Sequence, residues 1–165
     1  MFEYRNIHSG RLVKFGLLML VTAFLGGCPV FDPYTESLLE NNTDTTATVI
    51  VVLDMQRHGV DKKETAIELA PEWLQRFTLG DDVTMVRSNH QELTGTFEVV
   101  GGGIMVMHES LGRYPYFTFE KLTVVHQGRT RVFTDRDVFE SLFQKSGNRG
   151  EYSYVLPIST LWSAQ

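Results

Sequence analysis

The chain has 165 residues, a formal net charge of −5 and a single cysteine. Its length suits one compact domain with a hydrophobic core. An acidic chain lacks the positive surface that nucleic acid requires, and one cysteine cannot form a disulfide within the chain, so we expect neither a nucleic-acid partner nor a disulfide-stabilised fold.

The first informative segment is an apolar run over residues 15–25, which follows a short basic head. The run is too short to span a bilayer comfortably, and it ends in Leu25, Gly26, Gly27 and Cys28. This ending resembles the lipobox of bacterial lipoprotein precursors, in which the thiol is diacylated and the chain is cut just before it. The resemblance covers only the leader. It implies lipidation at Cys28 and recognition of Leu25, Gly26 and Gly27 by the signal peptidase. The alternative is an ordinary signal peptide or N-terminal membrane anchor in which Cys28 is incidental.

Cleavage before Cys28 would remove residues 1–27. The remaining chain has 12 basic and 19 acidic residues and a formal charge of −7. Acylation of Cys28 would leave no free thiol, which excludes a cysteine nucleophile and a thiolate metal site. Because anionic lipid headgroups repel so acidic a domain, we expect it to meet the membrane through acyl chains, two of which give stable anchoring.

Pro29 follows the cysteine and would end any continuing helix. By the same resemblance, an aspartate at this position would favour retention in the inner membrane of enteric bacteria. We therefore expect anchoring to the outer membrane, at its periplasmic face or the cell surface, with the inner membrane as the alternative.

The mature chain is expected to begin with a tether. Residues 28–45 contain proline, threonine, asparagine and acids without an apolar period, which predicts a flexible segment that follows the lipidated cysteine. A single globular domain is then expected over residues 46–165. Its first element is a strand over residues 46–55, which is apolar on both faces and therefore central in a sheet.

A helix is predicted after this strand. Asp61 and Glu64, three residues apart, resemble a capping box, and Pro71 is expected to end or kink the helix. Trp73 and Phe77 have one-face spacing and would dock a second helical turn on a sheet.

The apolar period then changes to two, which predicts antiparallel strands. Residues 83–87 and 93–99 are predicted strands. Residues 104–108 are expected to return from the Gly101-Gly102-Gly103 turn as the hairpin partner of residues 93–99.

A second hairpin is predicted further along the chain. Residues 116–126 are expected to pair with residues 129–133 across a tight turn at Gln127-Gly128. The apolar phase slips near Glu120 and Lys121, which predicts a bulge there.

The last elements complete the predicted fold class. Thr134 is placed to cap a helix that contains Phe139 and ends at Ser146-Gly147, and a final strand is predicted over residues 152–156. Pro157 is expected to leave the tail at an edge or in a loop. The predicted architecture is α+β: a mainly antiparallel sheet, flat or strongly curved, of about six or seven strands, with two or three helices on one face.

The sequence predicts no catalytic, cofactor or metal site. His108-Glu109 begins like the helical zinc motif, but Gly112 stands where the second histidine belongs. His108 and His126 lie near strand ends, so their convergence with a carboxylate in a cleft would indicate a metal or hydrolytic site. We expect that the protein is not an enzyme; a hydrolase is the less favoured alternative.

Tyr114 and Tyr116 are the candidate interaction surface, and ordinary core and rim packing is the alternative for this aromatic cluster. We expect a membrane-anchored extracytoplasmic lipoprotein that acts as an interaction or assembly module, with an envelope protein as its partner. The alternative function is a binding module for a lipid or other apolar ligand. Its pocket would lie between the sheet and the helix of Trp73 or of Phe139.

Overall fold

The computed structural model describes residues 34–111, 117–146 and 151–162. Its strands are β1 (Tyr34–Glu40), β2 (Ala47–Leu53), β3 (Val83–Asn89), β4 (Thr94–Val99), β5 (Ile104–Leu111), β6 (Phe119–His126), β7 (Arg129–Phe133), β8 (Gln144–Ser146) and β9 (Glu151–Pro157). The α-helices are α1 (Lys63–Gln75) and α2 (Arg136–Glu140), and 3₁₀ turns lie at Arg76–Thr78, His90–Glu92 and Ile158–Trp162. One sheet has five strands in the order β3-β4-β2-β6-β7, and the other has four in the order β5-β1-β9-β8.

Strand β2 is the centre of the five-stranded sheet, as predicted for residues 46–55. Its odd-numbered residues, Ala47 to Leu53, are buried, and its even-numbered residues are half-buried. Strands β4 and β6 pair with it antiparallel on either side. The side chains of β2 therefore point alternately into the core and toward the outer face of the sheet.

The predicted hairpin of β6 and β7 is confirmed. Gln127 and Gly128 have positive φ angles of 50° and 73°, as a two-residue hairpin turn of this twist requires. The predicted bulge is also confirmed. Val52 pairs with Lys121 but the next residue of β2 pairs with Phe119, which leaves Glu120 as the extra residue.

Strand β1 lies inside the four-stranded sheet, antiparallel to β5 and parallel to β9. The prediction of a flexible tether over residues 28–45 is therefore wrong for residues 34–40, and the globular domain begins before residue 46. The sequence pattern did not indicate this strand, because its inward residues Thr35 and Ser37 are polar although fully buried. Residues 28–33 lie outside the described part of the chain.

Strand β5 pairs with β1 and belongs to the other sheet from β4. The predicted hairpin between residues 93–99 and 104–108 is therefore wrong. The glycine turn at residues 101–103 instead carries the chain from one sheet to the other.

Asn41 fixes this crossing, because its buried side chain joins the end of β1 to the end of β4. Its Nδ2 group donates to the carbonyl oxygens of Val99 and Thr45, each at 2.8 Å. Its backbone carbonyl accepts from the N–H of Gly102 at 2.7 Å, and its N–H donates to the carbonyl of Gly103 at 2.9 Å. These bonds satisfy polar groups that a local hairpin would have paired.

Helix α1 runs unbroken from Lys63 to Gln75. The predicted capping box is wrong, because Lys62 occupies the N-cap position and its side chain makes no capping bond. Pro71 lies inside the helix and does not end it. Ala70 and Leu74, on either side of the proline, are fully buried, so tertiary packing holds both halves of the helix in place.

The cap of α2 also differs from its prediction. The Asp135 carboxylate, and not the Thr134 hydroxyl, accepts hydrogen bonds from the N–H groups of Asp137 and Val138. The predicted long helix is wrong, because residues Gln144–Ser146 form strand β8 and pair with β9.

The α+β class is confirmed, but the strands form two sheets and not the single sheet predicted. Both sheets contribute to one core: Leu39 and Met105 come from the four-stranded sheet, and Val49 and Phe97 from the five-stranded sheet. All described residues belong to one compact unit. No helix among them is long and apolar enough to cross a bilayer.

Candidate functional site

A groove of about 240 Å³ lies between β5 and the segment formed by α1 and the following 3₁₀ turn. On the β5 side it is lined by four consecutive residues, Val106 to Glu109. Successive side chains of a strand point to opposite faces of a sheet, so one face alone could not supply all four. The groove therefore follows the edge of β5, which is the terminal strand of its sheet among the described residues.

The floor of the groove is apolar. Trp73 and Phe77 come from the helical side and Met107 from β5, and these three side chains are 7 %, 4 % and 3 % exposed. Leu79 also lines the groove and is 64 % exposed, the highest exposure among the exposed large apolar residues that the structure describes. The groove thus offers a fixed apolar base and an accessible apolar lip.

A close backbone contact holds the two sides of the groove together at one end. The N–H of Ile104 donates to the carbonyl of Asp81 at 2.8 Å. A Cβ atom added to Gly80 would lie 1.8 Å from the carbonyl oxygen of Ile104, so only glycine fits there. The first residue of β5 is therefore fastened to the segment that leaves the 3₁₀ turn.

His58 stacks on the indole of Trp73 at the helical side of the groove. The ring centroids are 3.9 Å apart and the planes differ by 6°. Burial and the nearby Arg76 guanidinium lower the pKa of His58 below its usual 6.5, against the opposing effect of Asp54. His58 is therefore neutral at neutral pH and contributes a flat, weakly polar surface.

Charged side chains stand at the mouth of the groove. Arg76 contacts Glu72 at 3.2 Å, but the two side chains are 66 % and 68 % exposed. Such an exposed pair contributes little to stability, so the guanidinium can exchange this carboxylate for one on a ligand.

The β5 side of the mouth carries Glu109, which accepts a hydrogen bond of 2.8 Å from the Tyr34 hydroxyl. That bond, together with partial burial and the negative charges of Glu109 and Glu36, raises the pKa of Tyr34 to about 12. Burial lowers the pKa of the neighbouring His108, which is therefore a second neutral imidazole. The groove can hydrogen-bond a polar backbone while burying an apolar side chain.

The two histidines considered for a metal or hydrolytic site do not converge. His108 lines the groove. His126 lies at the corner between β1 and β2, where its Nε2 atom is 3.0 Å from the Thr43 hydroxyl and 2.8 Å from that of Thr45. Within the described ranges, no three histidine, cysteine, aspartate or glutamate side chains form a group that could hold a metal ion.

Several residues singled out in the sequence lie outside the described ranges: Leu25, Gly26, Gly27, Cys28, Tyr114 and Tyr116. The alternative function placed a pocket for an apolar ligand beside the helix of Trp73 or of Phe139; Trp73 lines the groove along β5, and Phe139 is not among its lining residues. Sequence reasoning missed His58, Arg76 and Leu79 as groove residues. The exposure of Leu79 is a property of the folded chain that no local pattern indicates.

Comparison of the chain with protein-family models, with curated proteins and with solved structures gave no significant match.

Proposed function

We propose that this chain is a lipid-anchored lipoprotein of the bacterial cell envelope whose domain binds an extended segment of a partner envelope protein in the groove along β5. The observation that carries the proposal is the position of the groove at the edge of a strand. An edge strand can accept an added strand through backbone hydrogen bonds, and adjacent pockets then select the side chains of that segment.

The size and polarity of the groove favour a peptide over a lipid. Pockets for drug-sized ligands are typically about 300–1,000 Å³, whereas this groove is about 240 Å³. That volume suits one or two side chains better than a long acyl chain. The His58, His108 and Glu109 side chains also match the polar backbone of a peptide, which an acyl chain lacks.

The proposed anchor is the acylated Cys28, with the outer membrane favoured over the inner. This part of the proposal rests on the leader sequence Leu25-Gly26-Gly27-Cys28. A domain anchored in this way meets partners in or near the same membrane. The high effective concentration there strengthens the binding of a partner even to a small groove.

The proposal is tested with two matched aspartate substitutions in the full-length chain. Leu79→Asp places a charge on the rim of the groove, and Val138→Asp places one on α2 at a residue that is 50 % exposed. Tagged chains are captured from native membranes, and the co-purifying proteins are quantified by mass spectrometry. We expect Leu79→Asp to reduce partner recovery about tenfold and Val138→Asp to leave it unchanged, because only the first charge is desolvated by the partner.

Equal recovery with both variants would contradict the proposal. The lipid alternative is tested by melting the purified chain with fatty acids and phospholipids. A rise in melting temperature that Leu79→Asp abolishes would favour a lipid carrier over a peptide-binding module.

A further inference from the structure

A second surface stands apart from the groove: the outer face of the five-stranded sheet, which carries the side chains that point away from the core. The core-facing side of the same sheet holds both described α-helices. Phe77, directly after α1, contacts Phe97 with ring centroids 5.6 Å apart, and Phe139 of α2 contacts Phe119 at 5.2 Å. Neither helix therefore covers the outer face.

Most of the paired positions on the outer face are β-branched residues. The central strand β2 contributes Thr48, Ile50 and Val52, and its neighbours pair with these positions. The other β-branched members of the face are Thr84, Thr94, Thr96, Thr123, Val125, Thr130 and Val132. Exposure varies across the face: Val132 is 50 % exposed, whereas Thr123 is 9 % exposed. β-branched side chains have restricted rotamers, so this surface loses little side-chain entropy on binding.

The charge of this face differs from that of the whole chain. Its paired positions carry one acid, Glu98, and two bases, Arg87 and Lys121, and the exposed bulge residue Glu120 adds a second acid beside Lys121, so the face is close to neutral, whereas the full chain has a formal charge of −5. Two copies of an acidic protein repel each other least across a face of this kind.

The positions of two charged residues indicate which partner fits. Glu98 on β4 pairs with Thr48, and Lys121 on β6 pairs with Val52. Glu98 and Lys121 thus lie at diagonally opposite ends of the face, on the two sides of β2. Their midpoint is Ile50.

From this arrangement we infer that the outer face binds the same face of a second copy of this chain. A twofold axis that lies between the two facing sheets, passes over Ile50 and is perpendicular to the line from Glu98 to Lys121 brings Glu98 of each copy opposite Lys121 of the other. The charge pair forms twice, and the β-branched side chains between the two pairs pack sheet on sheet. Five strands span only about 19 Å, so we expect a dimer that dissociates on dilution.

The proposed axis predicts that Ile50 of one copy lies opposite Ile50 of the other copy, and a cross-link at this position tests that prediction. The full-length chain with Ile50→Cys is treated in native membranes with a short bismaleimide, since facing sheets about 10 Å apart are too distant for a direct disulfide. We expect an adduct of twice the chain mass. The wild-type chain is the first control, because any adduct that it forms must come from Cys28. Glu68→Cys, on the exposed side of α1, is the matched surface control.

Charge reversal then tests the symmetry. In the Ile50→Cys chain, Glu98→Lys and Lys121→Glu are each expected to reduce the yield of this adduct about three- to tenfold, because each creates two like-charge contacts. The double reversal is expected to restore the yield, and Glu68→Lys to leave it unchanged. Urea unfolding of each variant shows that the fold is retained.

No adduct above the two controls would overturn the inference. So would an adduct that the double reversal fails to restore, or one whose mass corresponds to a different protein.

Discussion

Phe139 is the residue by which the short helix α2 packs into the core. Its side chain is fully buried, and its ring centroid lies between 4.9 and 5.2 Å from those of four other phenylalanines: Phe117, Phe119, Phe133 and Phe143. Replacing Phe139 by alanine removes the centre of this cluster and leaves a cavity lined by the other four rings.

We expect Phe139→Ala to lower the free energy of unfolding by about 3–5 kcal/mol, the usual cost of truncating a buried phenylalanine. Domains of this kind are stable by about 5–15 kcal/mol, so the loss is a large part of the total. In a urea titration followed by circular dichroism, the midpoint should fall by about 2 M.

The neighbouring substitution Val138→Ala is the control. Val138 is 50 % exposed, and its truncation should change the free energy of unfolding by less than about 0.5 kcal/mol. A loss below about 1 kcal/mol for Phe139→Ala, or equal losses for the two variants, would refute the placement of Phe139 at the centre of the core.

Three further predictions follow from single residues. Asn41→Ala should cost about 1–3 kcal/mol in urea unfolding, because the carbonyls at the crossing between the sheets lose a buried donor; an unchanged midpoint would contradict that role. His58 has a lower pKa in the folded than in the unfolded chain, so the unfolded chain binds more protons and stability falls as the pH drops below about 6.5. His58→Gln should flatten part of this loss in unfolding titrations between about pH 7 and 5, and an identical pH profile would count against the buried neutral imidazole. Cys28→Ser should yield an unacylated, full-length precursor; an unchanged intact mass and unchanged membrane fractionation would rule out the lipobox.

The elements that the sequence predicted well are those specified by local patterns. Strand β2 has an apolar residue at every inward position, and the β6–β7 hairpin has a two-residue turn with glycine. Even the bulge at Glu120 was visible, because a phase slip of one residue in an apolar alternation needs an extra residue.

The elements that the sequence missed depend on distant partners. Strand β1 buries Thr35 and Ser37. In the sequence these polar residues indicated a loop, and they are buried only because two neighbouring strands pack on either side of β1. Strand β5 follows a glycine turn and still pairs with β1 and not with its neighbour in sequence. The expectation that strands adjacent in sequence pair as hairpins therefore predicted the wrong partner for β5.

The groove could not be predicted for the same reason. Its lining residues come from four segments, represented by His58, Trp73, Met107 and Thr118, which are brought together only in the folded chain. The sequence left open a pocket beside the helix of Trp73 or that of Phe139, and the position of the groove at a strand edge follows from the sheet order.

The most direct test of the proposed partner binding is site-specific photocrosslinking from the rim of the groove. A benzophenone amino acid replaces Leu79 in the full-length chain in living cells, and Val138 is replaced in the control; both side chains are exposed, and only the first lines the groove. We predict that the probe at position 79 labels one contiguous segment of another envelope protein, mapped by mass spectrometry, and that the control does not. Labelling of lipid from position 79, or the same adducts from both positions, would contradict the account.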